Sequence, residues 1–121
     1  MPQLIVWYDE NAVDVSELRK IGHKVRPLVA KAVTTNPSKA LTEKDIDWFP
    51  QQYPYGMMAD CGPVMIELRM IGLPLRKEKL CGDDNAVLKN LKQEMLDAGF
   101  NRYLTASDKF LWVQFTDGPH L

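Results

Sequence analysis

The feature that most constrains the fold of this chain is an order of strand, helix and strand that occurs twice. Gln3–Tyr8 is a near-continuous run of β-prone apolar residues, which predicts a strand covered on both faces. Apolar residues then recur at steps of three and four over residues 15–33, which predicts an amphipathic helix. The short alternating segment at residues 45–51 predicts the second strand.

The second unit repeats this order roughly 60 residues further along the chain. Val64–Ile71 predicts a third strand, and a charge-rich linker is expected at residues 75–79. A second amphipathic helix follows, with Gly99 well placed as its stop. Residues 110–116 predict the last strand.

Polar residues mark where the two helices begin. Asp14 or Ser16 can cap the first helix, whereas Gly22 and Pro27 inside it predict a weakened or kinked turn. Three consecutive residues are candidate caps of the second helix: Asp83, Asp84 and Asn85.

Two β-α-β units predict one α/β (α+β) domain over residues 1–121, with a pseudo-repeat at residues 2–51 and 63–117. Their four strands form one mixed sheet with two helices on one face. The other face is then bare, although it carries isoleucine, leucine, valine, tryptophan and methionine side chains. Because such a face needs a partner, we expect a closed homo-oligomer with cyclic symmetry.

The charge balance and the apolar runs exclude several classes of protein. The chain has 121 residues with 15 basic and 16 acidic side chains, so it lacks the basic field that nucleic acid binding requires. Its longest apolar run, residues 4–8, is far below the ~20 residues that span a bilayer, and no secretion signal is recognised. We therefore expect a cytoplasmic protein that binds neither nucleic acid nor a membrane.

The cysteines and histidines do not predict a metal site. Cys61 and Cys81 lie 20 positions apart, with no C-x-x-C motif and no nearby histidine. Each is most simply a small packing residue, and a nucleophilic role for Cys61 is a minor alternative.

Pro2 is the strongest candidate for chemistry. Removal of Met1, which a small second residue permits, would leave Pro2 with a free secondary amine. An α-amino group ordinarily titrates near pH ~8, and burial or a nearby cation lowers its pKa because both disfavour the protonated form. Pro2 would then be a base at neutral pH, held rigidly by its ring at the start of a strand.

Several short segments, taken together, match the pattern of a known family. They are Pro2 at the head of the first strand, Lys24-Val25-Arg26-Pro27, Trp48, Met58-Ala59-Asp60 and Met70-Ile71-Gly72. With the doubled β-α-β order and the chain length, they resemble the tautomerase superfamily, in particular its members like macrophage migration inhibitory factor and 5-carboxymethyl-2-hydroxymuconate isomerase.

The resemblance implies a homotrimer that catalyses keto–enol proton transfer on a small enolisable carboxylic acid, with no metal and no organic cofactor. Pro2 matches the catalytic proline, which takes a proton next to a carbonyl and returns it at another carbon. Ile71 matches an aliphatic wall of the pocket. Trp112 and Gln114 match positions that a neighbouring subunit lends to the site, which would therefore lie between chains.

The cations that would hold the substrate carboxylate do not align with the family pattern. Arg76 follows the turn after Ile71 one position late, and Lys44 precedes Trp48 at a shifted spacing. Arg69 is a further candidate, but on a strand it can equally pair with Glu67. The choice of substrate therefore stays open.

Two functions of different class remain. The first is a tautomerase or isomerase in which Pro2 is the base, Arg76 or Lys44 holds a carboxylate, and Trp112 or Gln114 polarises the substrate oxygen. The second is a trimeric binding or structural protein that has the fold without the chemistry. The state of the amino terminus decides between them, because a Pro2 nitrogen still joined to Met1 is an amide and cannot act as a base.

Overall fold

The computed structural model describes residues 2–53, 62–82 and 84–116. Single-turn 3-10 helices occur at Pro37–Lys39, Glu43–Asp45 and Phe100–Arg102. The strands and α-helices, in chain order, are β1 (Gln3–Tyr8), α1 (Val15–Val33), β2 (Asp47–Gln52), β3 (Val64–Ile71), α2 (Pro74–Leu80), α3 (Ala86–Ala98) and β4 (Leu111–Thr116).

The four strands form one mixed sheet with the order β2-β1-β3-β4. β1 is parallel to β2, β3 is parallel to β4, and the two central strands β1 and β3 are antiparallel. Each parallel pair is the product of one β-α-β unit, because a parallel pair needs a crossover connection. The predicted four-stranded mixed sheet is therefore confirmed.

One face of the sheet packs against the helices. Leu4 and Val6 of β1 lie beside Leu68 and Ile66 of β3, and none of these side chains is exposed. They share a core with the apolar side of α1 and α3. Although β1 reads as a continuous apolar run, its side chains alternate between the two faces, as in any strand.

The opposite face, which we call the open face, lies outside that shared core. Its side chains come from the alternate residues of each strand, those that point away from the helices. Ile5 is opposite both Phe49 and Glu67, and Trp112 is opposite Glu67. Phe49 is 41% exposed and Trp112 is 44% exposed. The apolar face expected to need a partner is therefore present in the described part of the chain.

Asp14 caps α1, because its carboxylate accepts hydrogen bonds from the backbone N–H of Ser16 and from the Ser16 hydroxyl, both at 2.9 Å. These bonds hold the pKa of Asp14 below its ordinary value, and the bond from the backbone N–H has the larger effect. Asp14 rather than Ser16 is thus the cap. The helix is unbroken across Pro27, although a proline cannot donate the usual backbone hydrogen bond.

The limits of α3 follow the prediction. The side chain of Asn85 accepts a hydrogen bond from the backbone N–H of Leu88 at 3.0 Å, so Asn85 is the cap. Asp83, another candidate, lies outside the described residues. Gly99 ends the helix with a φ of +142°, a backbone conformation that side chains with a Cβ rarely adopt.

The expectation of a charged linker at residues 75–79 is wrong, because this segment lies within the helix α2. Pro74 starts the helix, where its missing N–H costs nothing. Leu80 is buried, and the Lys79 ammonium donates a hydrogen bond to the carbonyl of Thr34 at 2.7 Å, which ties α2 to the end of α1. The structure therefore adds a third helix to the two expected.

The second strand begins two residues later than predicted. Residues 43–45 form a 3-10 turn in which the Asp45 carboxylate accepts the backbone N–H of Thr42 at 2.8 Å, so pairing with β1 starts only at Asp47. The last strand begins at Leu111 rather than at residue 110. Within the described ranges, no helix has the length and hydropathy to cross a membrane.

Candidate functional site

Pro2 is buried at the head of β1, one of the two central strands. Its carbonyl accepts a hydrogen bond from the backbone N–H of Asp47 at 3.1 Å, which joins it to the start of β2. The pyrrolidine ring also fixes one backbone angle. The position of Pro2 is therefore set by the sheet itself and not by a loop.

The sheet register brings several chain segments to the edge where Pro2 lies, which we call the Pro2 edge. Gln3 is opposite Asp47 on one side and Arg69 on the other. β2 therefore begins at this edge. β3 ends there, two residues after Arg69, and β4 runs parallel to β3 and ends beside it.

Ile71 is the last residue of β3, so it lies at the Pro2 edge and is half-buried. Gln114 is opposite Arg69, and Trp112 is opposite Glu67, further from the edge. Both belong to β4, which is separated from β1 by β3, so they lie about 10 Å from the strand of Pro2 within one chain. A single chain therefore brings Ile71, but not Trp112 or Gln114, close to Pro2.

The two predicted carboxylate-binding residues flank the Pro2 edge. Lys44 lies in the 3-10 turn just before β2, and Arg76 lies in α2 just after β3. Neither side chain has a hydrogen bond or an ion pair with any residue that the structure describes. Both charges are thus available to an anion.

The turn that carries Lys44 is held from behind by Arg26 of α1. Its Nε donates to the carbonyl of Ile46 at 3.1 Å, and its Nη2 donates to the carbonyl of Glu43 at 3.0 Å. The two acceptors lie on either side of Lys44 and Asp45 in the chain, so these two bonds fix the backbone of the turn.

The alternative interpretation of Arg69 is confirmed, since its Nε donates to the Glu67 carboxylate at 2.8 Å. The other oxygen of the same carboxylate accepts from the Trp7 indole N–H at 3.1 Å. This ion pair lies on the open face, with the Glu67 side chain 16% exposed. The charge of Arg69 is therefore already paired within the chain.

Lys77 was missed by the sequence analysis, which assigned it to a linker. The space that a Cβ would occupy at Gly72 is filled by Cε of Lys77, and Nζ lies 3.2 Å from that position. Gly72 directly follows β3, so this ammonium group lies at the Pro2 edge. The signal in the sequence was a glycine at the end of a strand followed by a lysine in the next helix.

Metal ligands do not cluster in this part of the molecule. Among the described residues, no three histidine, cysteine, aspartate or glutamate side chains are grouped so that they could hold a metal ion. Cys81 is exposed and free, and Cys61 lies outside the described residues.

Comparison with known proteins gives matches only at the level of structure. No family model matches the chain, and no curated protein sequence matches it. Among solved structures, a 5-carboxymethyl-2-hydroxymuconate delta-isomerase aligns with a TM-score of 0.53 and 15% identity, over 100% of this chain and 85% of its own.

Two further solved structures align over nearly the same length. A fused 4-OT asymmetric trimer has a TM-score of 0.57 and 11% identity, over 97% of this chain and 86% of its own. A malonate semialdehyde decarboxylase inhibited by 3-bromopropiolate has a TM-score of 0.54 and 8% identity, over 95% of this chain and 83% of its own. All three are tautomerase superfamily members. At these identities the likeness establishes architecture alone, and this chain has the tautomerase fold.

Proposed function

We propose that this protein is a tautomerase or isomerase that moves a proton on a small enolisable carboxylic acid, with Pro2 as the base. The observation that carries the proposal is the burial of Pro2 at the head of a central strand, at the same sheet edge as Lys44 and Arg76, whose side chains have no partner among the described residues. A rigidly held amine beside cations has the properties that proton abstraction next to a carbonyl requires.

The reaction needs Pro2 as a free amine, which follows removal of Met1. Its nitrogen takes a proton from the carbon next to the substrate carbonyl, and the electrons of the broken C–H bond move onto the carbonyl oxygen. The protonated Pro2 then returns the proton to that oxygen or to another carbon, so proton and electrons balance without a cofactor. Nearby cations assist because they disfavour the protonated amine and stabilise the enolate.

The substrate class follows from the charges at the Pro2 edge. A carboxylate pairs well with a lysine or arginine side chain that has no partner in the protein. Lys44 and Arg76 both satisfy this condition among the described residues. Ile71 would supply an apolar wall beside the reacting carbon.

The working unit in this proposal is a homotrimer. The open face exposes Phe49 and Trp112, and near the Pro2 edge Leu73 is 49% exposed and Leu75 is 60% exposed. Apolar surface of this kind is typical of interfaces. Since Trp112 and Gln114 are distant from Pro2 within one chain, a neighbouring copy would have to bring them to the site, where they would polarise the substrate oxygen.

The decisive experiment uses protein made without an amino-terminal tag. Intact mass spectrometry shows whether Met1 is absent, and ketonisation of phenylpyruvate enol, followed by its ultraviolet absorbance, measures the activity. We expect Met1 to be absent and Pro2→Ala to lower the rate by about 10²- to 10⁴-fold, the range that a positioned base contributes. Pro37→Ala is the matched control, because Pro37 is an exposed proline in a turn.

Two results would contradict the proposal. Retained Met1 excludes Pro2 as a base in this chain, and an unchanged rate in Pro2→Ala assigns the proton transfer to water or to another group. In either case the non-catalytic binding or structural protein becomes the better description of this fold.

A further inference from the structure

The peptide unit that joins Ile46 to Asp47 is hydrogen-bonded at both ends. Its oxygen, the carbonyl of Ile46, accepts from Nε of Arg26 at 3.1 Å. Its N–H, which belongs to Asp47, donates to the carbonyl of Pro2 at 3.1 Å. Because a trans peptide unit is planar, with its oxygen and hydrogen on opposite sides, the two bonds lie at opposite ends of one rigid group. Arg26 is thereby connected to Pro2 through a single peptide unit.

The Arg26 side chain is itself held in place. It is a half-buried residue of α1, and its Nη2 donates to the carbonyl of Glu43 at 3.0 Å. Two bonds from one planar guanidinium group fix its orientation. The carbonyl of Glu43 also accepts from the backbone N–H of Ile46 at 3.2 Å, and the side chain of Ile46 is fully buried. The peptide unit that bonds to Pro2 is therefore anchored from the side of α1.

The direction of the Pro2 carbonyl determines where the Pro2 nitrogen points. The pyrrolidine ring fixes the rotation about the bond between nitrogen and Cα. The bond between Cα and the carbonyl carbon is then the one soft torsion between the nitrogen and the rest of β1. Since the N–H of Asp47 holds the carbonyl, it restricts this torsion. Hydrogen bonds in a chain also polarise one another, so a guanidinium at the far end strengthens the bond to Pro2.

We propose that Arg26 is a positioning residue for the Pro2 amine and acts on it through the peptide unit between Ile46 and Asp47. The inference rests on the proposed function, in which Pro2 is the base. The bonds of Arg26 go to backbone carbonyls of the protein, whereas Lys44 is proposed to bind the substrate. Arg26 should therefore affect the proton transfer and not the binding of substrate.

The first measurement needs no activity. It is the NMR chemical shift of the Asp47 amide proton in untagged protein, which moves upfield when its hydrogen bond weakens. We expect Arg26→Lys to move this resonance upfield and to leave the amide of Leu68, a residue of the central strand β3, in place. Arg19→Lys is the matched control, because Arg19 is exposed on the same helix, and it should move neither resonance.

The second measurement is the steady-state ketonisation of phenylpyruvate enol. We expect Arg26→Lys to lower kcat by at least tenfold and to change KM less than threefold, since a misplacement of about 1 Å can cost about 10²-fold in rate. The turn also carries Lys44, so the comparison is repeated in a Lys44→Met background. An effect that acts through Pro2 keeps the same factor in that background.

Circular dichroism and sedimentation check the fold and the assembly of every variant. If Arg26→Lys does not fold, the wild type still provides a test, because the Arg26 Nε–H must exchange slowly with solvent. Rapid exchange of this proton would overturn the inference.

Three further outcomes would also overturn it: an unmoved Asp47 resonance in Arg26→Lys, a moved resonance with unchanged kcat, or a loss of kcat that disappears in the Lys44→Met background. Failure of the proposed function looks different. A wild type that retains Met1 or lacks activity refutes the reaction and with it the positioning role, while the Asp47 resonance still reports whether Arg26 is connected to Pro2.

Discussion

At the scale of single residues, a glycine lets α1 approach the sheet closely. The ring of Trp48 lies against Gly22, with Cε2 2.8 Å from the position that a Cβ would occupy there. The indole N–H of Trp48 is buried, and it has no hydrogen-bond partner among the residues that the structure describes. Gly22 is therefore required by packing, since its place inside a helix is otherwise unfavourable.

We predict that Gly22→Ala destabilises the protein. At an ordinary helical position this change would stabilise by about 1 kcal/mol. Here the new methyl group overlaps the Trp48 ring, and overpacking of this kind costs about 1–3 kcal/mol. Urea unfolding followed by circular dichroism measures the difference in the free energy of unfolding.

The same substitution in a Trp48→Leu background is the control. With the ring removed, Gly22→Ala should become neutral or stabilising, which makes the two changes non-additive. Equal effects in both backgrounds would show that the Trp48 contact does not determine the cost.

At the scale of elements, the turn before β2 depends on a side chain from a different element. Arg26 spans the carbonyls of Glu43 and Ile46 with two nitrogens of one guanidinium group. The planar fork of an arginine can reach two acceptors at once, whereas a lysine presents a single ammonium. This contact sets where Lys44 projects at the Pro2 edge.

We predict that Arg26→Lys lowers the free energy of unfolding by about 1.5–3 kcal/mol, the range for a lost hydrogen bond to a charged group. Arg19→Lys is the matched control, because Arg19 is an exposed residue of the same helix. Chemical denaturation measures the free energy of unfolding of both variants. Equal values for Arg26→Lys and Arg19→Lys would contradict the role assigned to Arg26.

At the scale of the whole molecule, the open face is the surface on which the proposed assembly depends. Its ion pair between Arg69 and Glu67 is complete within one chain, so it can be covered without leaving an unpaired charge. The apolar side chains around it, Phe49 and Trp112, remain about half exposed in a single chain. These properties fit a surface that is covered by another copy of the same chain.

We predict that sedimentation of the wild type gives a trimer and that Phe49→Glu shifts it to monomer, because burying a new carboxylate in an apolar contact is costly. His23→Glu is the control, since His23 is exposed on α1. A wild type that stays monomeric at every concentration would contradict the interpretation of the open face.

The strands and the two long helices could be predicted because their signals are local. Gln3–Tyr8 and Val64–Ile71 match the observed strands, and Asn85 and Gly99 limit α3 as expected. α2 could not be predicted in this way. It is seven residues long, it buries one side chain, Leu80, and its attachment through Lys79 to Thr34 joins residues 45 positions apart.

The sequence alone determined the order of the four strands and the two long helices, and with it the mixed sheet. It could do so because periodicity and caps are properties of short segments. Only the tertiary structure decided which cations lie at the Pro2 edge. Arg69 has a partner in Glu67, and Lys77 lies over Gly72. The physical reason is that register and crossover place side chains distant in sequence next to one another, and no local pattern encodes those distances.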